Sequence, residues 1–160
     1  MRSQPDPRYC NNCIDAHVLD VKSIPGDAVV DEILELYVDG KIPLFLPHTV
    51  QEEINHPNTP LETKRRAADL LYTMDVQLNA EELALRDKIS IVFQGNAKPG
   101  KHKSDAYHVF EAMKYGNYFI TNDIRILKKG KELSNLLRPA QVVTPTEFLS
   151  IYRQSETDAP

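Results

Sequence analysis

Short apolar segments alternate with stretches of helical period along this chain, and that alternation constrains its fold more than any other feature. It is the pattern of a parallel sheet covered by helices. A first strand is predicted to run into Ile14 and Asp15. After a turn at Pro25 and Gly26, with Asp27 as N-cap, Val30, Ile33, Leu34 and Tyr37 fall at i, i+3, i+4 and i+7, and Gly40 closes that helix. IPLFLP reads as a short buried strand bounded by prolines, and Thr49 to His56 as a helix ended by Pro57. Pro60 suits the first position of the next helix, whose inner stripe is Ala67, Leu70, Leu71 and Met74. Helix is also expected from about Ala80 to Gln94, followed by a loop, GNAKPGKHK. Ser104 then caps a helix with a buried face of Ala106, Val109, Phe110 and Met113, stopped at Gly116. YFIT is a strand, Ile124 to Lys129 a short basic helix and QVV a strand. TPTE is a capping box with Thr144 at the N-cap, Pro145 first in the helix and Glu147 three residues on.

With 160 residues, 41% of them hydrophobic, the chain has enough apolar mass for one core and hardly for two, so a single domain over residues 1–160 is expected. Residues 1–9 and 154–160 read as loose ends. No apolar run reaches the roughly 18 to 20 residues of a membrane span, and the polar start lacks the apolar core of a secretory signal, which points to a cytoplasmic protein. The net charge of −4 argues against a generally basic coat protein of nucleic acid. That charge is unevenly spread. Residues 27–39 carry only acids (Asp27, Asp31, Glu32, Glu35, Asp39), whereas Lys98, Lys101, Lys103, Lys114, Arg125, Lys128, Lys129 and Lys131 outnumber Asp105, Glu111 and Asp123. Cys10 and Cys13 form a C-x-x-C with no second pair and precede a strand, so they read as ordinary cysteines rather than a zinc or redox motif.

Three acids occupy positions where the ligands of an open parallel sheet gather. Asp15 closes the first strand, Asp123 closes YFIT, and Asp105 lies in the first turn of a helix entering from a loop. Each has an ordinary alternative: Asp105 complements a helix dipole, and Asp123 is a turn or N-cap residue. Asp15 has no turn glycine or proline beside it to explain it. Acids that converge need a counter-charge, and a divalent cation with a preference for oxygen supplies one. His102 and His108 flank Asp105 but read as loop and helix-surface histidines, because a hard cation prefers oxygen. Tyr107, Tyr115 and Tyr118 read as core or interface residues.

Taken together, IDAHVLD, PHTVQEEI, KSDAYHVFEAMKYG, YFITNDIRIL and the closing TPTEFL resemble the PIN domain family of metal-dependent nucleases, from about Cys13 to Tyr152. The resemblance implies a three-layer α/β/α sandwich with a central parallel sheet. It also implies an acidic pocket of Asp15, Glu53, Asp105 and Asp123, with Thr121 and Asn122 in support. Glu52 competes with Glu53 for the second position; Glu53 is preferred because it stands three residues after Val50 and directly before Ile54. His17 stands where many members have asparagine, and IRILKK lacks the further acid of some members.

The function implied is Mg²⁺- or Mn²⁺-dependent hydrolysis of single-stranded RNA. One or two ions held by Asp15, Asp105 and Asp123 would activate water, and Glu53 would act through water or as an orienter. Lys101, Lys103, Arg125 and Lys128 would hold phosphates while the acidic helix faces away. The resemblance allows a stand-alone nuclease or the toxin of a toxin–antitoxin pair, with an antitoxin-like protein partner, and it implies a homodimer. A catalytically silent PIN-like module that binds RNA or protein is the alternative.

Overall fold

The computed structural model describes residues 4–20, 27–100, 102–115, 118–134 and 141–158. Five parallel strands form one sheet: β1 (Asn12–Ile14), β2 (Phe45–Leu46), β3 (Leu71–Tyr72), β4 (Tyr118–Ile120) and β5 (Gln141–Val143), in the order β3-β2-β1-β4-β5. Seven α-helices are described: α1 (Asp27–Val38), α2 (Gln51–Asn55), α3 (Leu61–Ala68), α4 (Ala80–Gln94), α5 (Lys103–Tyr115), α6 (Ile124–Ser134) and α7 (Pro145–Thr157). Short 3₁₀ turns follow β1 (Ala16–Leu19) and precede α2 (His48–Val50).

The central strands β1 and β4 are buried on both faces, and alternate side chains of the sheet enter two separate cores. Ile14, Leu46, Tyr118, Ile120 and Val143 pack with Val30 and Ile33 of α1, Ala67 of α3 and Phe148, Leu149 and Tyr152 of α7. Cys13 and Phe119 point the other way, to Ile89 and Phe93 of α4, Val109 and Phe110 of α5, and Ile126 and Leu133 of α6. The acid-rich α1 thus covers the face opposite to the one that carries α5 and α6. Its Asp31 and Glu32 pair with Arg66 and Arg153.

Several local expectations hold. Gly40 has φ +73° and completes a paired C-terminal cap, its N–H bonding to the Tyr37 carbonyl and that of Lys41 to the Leu36 carbonyl. The Thr144–Glu147 capping box makes both of its arms. Other expectations need correction. The predicted stripe continuing from Ala67 through Leu71 to Met74 is broken: α3 ends at Ala68 and Leu71–Tyr72 is an edge strand. Leu71 and Met74 are 63% and 73% exposed. The spacing mimicked a helix because a two-residue strand is too short to show its own alternation. Pro60 is the N-cap of α3 rather than its first residue, Ser104 lies inside α5, and α6 is longer than predicted, reaching Ser134. The terminal segments are not loose where they are described: Tyr118 Oη donates to the Pro5 carbonyl, Arg8 to the Ser155 carbonyl, and α7 runs to Thr157. The turn at Pro25 and Gly26, the stop at Gly116 and Lys101 lie outside the described residues.

Cys10 and Cys13 are free thiols, and burial pushes them up to about 11 and about 12, where they stay protonated at neutral pH. None of the described helices is long and apolar enough to cross a membrane.

Candidate functional site

The site begins where the two central strands end. The Asp15 amide donates to the Ile120 carbonyl and that of Thr121 to the Val143 carbonyl, so the ladder places both residues at the carboxyl edge of neighbouring strands. Thr121 Oγ1 donates to Asp15 Oδ2 at 2.8 Å and accepts the Asp123 amide at 3.1 Å. One buried hydroxyl therefore joins the Asp15 carboxylate to the Asp123 backbone. Asp15 is 1% exposed, and burial holds its carboxyl above the usual range, with the Glu53 charge adding to this and Thr121, His17 and His108 opposing it.

Asp123 also caps α6, its Oδ1 accepting the amides of Arg125 and Ile126 at 2.9 and 3.3 Å. Asp105, in the first turn of α5, accepts from Nη2 of Arg125, whose Nη1 meets His102. Arg125 thereby ties the start of α6 to the start of α5, and its buried Nε has no hydrogen-bond partner.

Glu53 is clasped from the next turn of α5. His108 Nε2 lies 2.9 Å from Glu53 Oε1, and its Nδ1 lies 2.7 Å from Thr49 Oγ1. With Nε2 donating to the carboxylate, Nδ1 accepts from the hydroxyl. His108 is 2% exposed, which corrects its reading as a helix-surface residue. Its hydrogen bond holds the Glu53 carboxyl below the usual range against an opposing burial effect. Glu53 and His17 line a cleft of about 330 Å³ with Asp20 and His56. Glu52 points instead into a groove of about 580 Å³ lined also by His48, Thr49, Asp75, Ser104 and His108.

A second buried carboxylate, which sequence reasoning missed, sits one turn further along α5. Glu111, 3% exposed, accepts from His48 Nδ1 and from Thr73 Oγ1, both at 2.9 Å. The sequence did carry a signal for it. Asp105, His108 and Glu111 are spaced by three along α5, a polar line beside the apolar stripe of Ala106, Val109 and Phe110.

Among the predicted phosphate contacts, Lys103 and Lys128 are exposed, Lys103 Nζ lying 5.3 Å from the Tyr107 ring centre. Arg125 is turned inward onto Asp105, and Asn122 is exposed.

The acids are oxygen donors of the kind a hard divalent cation takes, but their arrangement is not that of a metal centre. Among the described residues no three His, Cys, Asp or Glu side chains converge to hold an ion. Asp105 is engaged by Arg125, Glu53 by His108 and Asp123 by the α6 amides.

No protein-family model matches the chain, and neither does any curated protein or solved structure.

Proposed function

We propose that this protein is a PIN-like endoribonuclease, a three-layer α/β/α sandwich that hydrolyses phosphodiester bonds in single-stranded RNA at the carboxyl edge of β1 and β4, with Mg²⁺ or Mn²⁺ as the implied cofactor. The observation that carries this reading is the Asp15–Thr121–Asp123 connection. A carboxylate buried at the central strand end and held by a hydroxyl is costly to the fold, and such groups concentrate at functional sites. Glu53 and Asp105 project from the helices that follow β2 and precede β4.

In this reading the chain's own residues divide the work. Thr121 orients Asp15, His108 fixes Glu53, and the exposed Lys103 and Lys128 draw the phosphate backbone toward a site that is otherwise acidic.

One observation favours the alternative of a catalytically silent module that binds RNA or protein: Asp105 already has its counter-charge in Arg125. One experiment separates the two readings. Incubation of the protein with single-stranded RNA should give cleavage that requires Mg²⁺ or Mn²⁺ and disappears in Asp15→Asn. RNA binding without cleavage establishes the silent module, and cleavage that persists in chelator or in Asp15→Asn refutes the proposed site.

A further inference from the structure

The carboxylates account for only half of a phosphodiester cleavage. Attack by water releases a proton, which carboxylates can take, and departure of the leaving oxygen needs a proton delivered to it. The predicted acids include no donor for that second transfer. His48 lines the groove that also holds His108, the partner of Glu53, and Ser104, the neighbour of Asp105.

Its ring and its backbone are tied into one network. Nδ1 lies 2.9 Å from Glu111 Oε1, the His48 amide donates to Thr73 Oγ1 at 2.9 Å, and the Thr73 hydroxyl donates in turn to Glu111 at 2.9 Å. Glu111 on α5 and Thr73 after β3 are both buried, so this is a closed, satisfied network in a low-dielectric setting. With Nδ1 committed to Glu111, Nε2 is the nitrogen that faces the groove, 3.4 Å from Asp75 Oδ1. The Asp75 side chain is 83% exposed, a route by which solvent returns a proton to the ring. The same groove reaches His108, which holds Glu53, Thr49, which bonds His108, and Ser104, which precedes Asp105. A substrate lying along it would pass His48, His108 and Ser104, on the side from which Glu53 and Asp105 project.

We infer that His48 is the general acid of the proposed cleavage, oriented by the buried Glu111; this rests on the endoribonuclease reading. The oxygen of water forms a bond to phosphorus and gives its proton to the acidic edge and then to solvent. The phosphorus–oxygen bond to the leaving nucleotide breaks, its electron pair stays on that oxygen, and the oxygen takes the proton from Nε2. Neutral His48 regains a proton from water by way of Asp75.

The test compares two RNA substrates, one natural and one with sulfur in place of the leaving bridging oxygen, since a thiolate departs without protonation. His48→Asn is the variant of choice, because its side-chain amide can still donate to Glu111 while nothing remains at the Nε2 position. Cleavage of natural RNA should fall about 10²-fold, the scale of a lost general acid, while the sulfur substrate is cut at close to the parental rate. Equal losses on both substrates would mean that His48 only supports the fold, and would overturn the inference. The parent protein gives a second measurement that does not depend on the variant folding. With a proton delivered by His48, which faces Glu111 of α5 and Asp75 and shares its groove with Glu52 and His108, cleavage of natural RNA should fall with rising pH relative to cleavage of the sulfur substrate. Parallel pH profiles would also overturn it. Failure of the parent to cut either RNA is a different result, since it removes the endoribonuclease reading itself.

Discussion

Asp15 and Glu53 belong to one proposed site, yet the fold treats their charges in opposite ways. Asp15 closes a central strand, is almost wholly buried and has one hydroxyl for support, so burial raises its pKa. Glu53 sits on a short helix at the rim, half-buried, with an imidazole against it, so the hydrogen bond lowers its pKa. One carboxylate is held at a cost to the fold and the other contributes to it. The first arrangement is what a reacting group tolerates, and the second is what a positioned neighbour looks like.

The contrast is broken most sharply at Asp15. Asp15→Asn should lower RNA cleavage by about 10²-fold or more, the scale for removing an electrostatic group at a reacting centre. It should nevertheless raise stability at neutral pH, because a buried carboxylate is replaced by an amide whose oxygen still accepts from Thr121. The sign follows from linkage. A carboxyl raised in the folded state leaves the native protein binding more protons than the unfolded chain, so the penalty is absent below the ordinary value of 3.8 and grows until pH passes the folded value. Urea unfolding as a function of pH should show stability falling across that window in the parent and not in the variant. A loss of stability in Asp15→Asn at neutral pH would contradict this account.

Next in size is Thr121→Val, which keeps the shape but strips Asp15 of its donor. It should cost about 1–3 kcal/mol in urea unfolding, the range for orphaning a buried acceptor. Glu53→Gln acts in the other direction from Asp15→Asn. The stabilisation from Glu53 is present above its ordinary value of 4.5 and lost as pH falls through the lowered folded value. The variant should therefore be less stable than the parent at neutral pH, by about 1 kcal/mol or less given the exposure of the carboxylate, and equal to it in strong acid. Glu52→Gln should leave both stability and cleavage unchanged, and the reverse ranking would transfer the role to Glu52. A small effect is also expected at the Arg125–Asp105 pair. There Arg125→Gln should shift stability by less than about 1 kcal/mol, because the guanidinium is partly solvated.

The comparison also explains what could be read in advance. Asp15, Asp105 and Asp123 were legible because each falls where an apolar strand stops or a helix starts, positions that hydrophobic patterning marks well. The sheet was legible for the same reason at β1, β2, β4 and β5. Side-chain pairing was not. Nothing local says that Arg125 turns inward to Asp105, that His108 bridges Thr49 and Glu53, or that Glu111 is buried against His48, since each contact joins segments separated by 20 to 63 residues. Edge strand β3 escaped because two residues carry too little periodicity, and its neighbours Leu70 and Met74 happen to keep helical spacing with Ala67. The helix-cap expectation for Asp123 also holds: its carboxylate caps α6 while its amide donates to Thr121.

The position of β1 has a consequence for how the chain assembles. Its Cys13 pairs with Phe45 on one side and with Phe119 on the other, so one edge of the central strand finds its partner early in synthesis and the second waits for residues made much later. Until β4 emerges from the ribosome, β1 offers an open backbone edge, and Asp15 has no Thr121 to receive it. Assembly that depends on so distant a partner is slow and exposed to wrong pairings, and the two halves of the acidic edge meet only once β4 has joined β1.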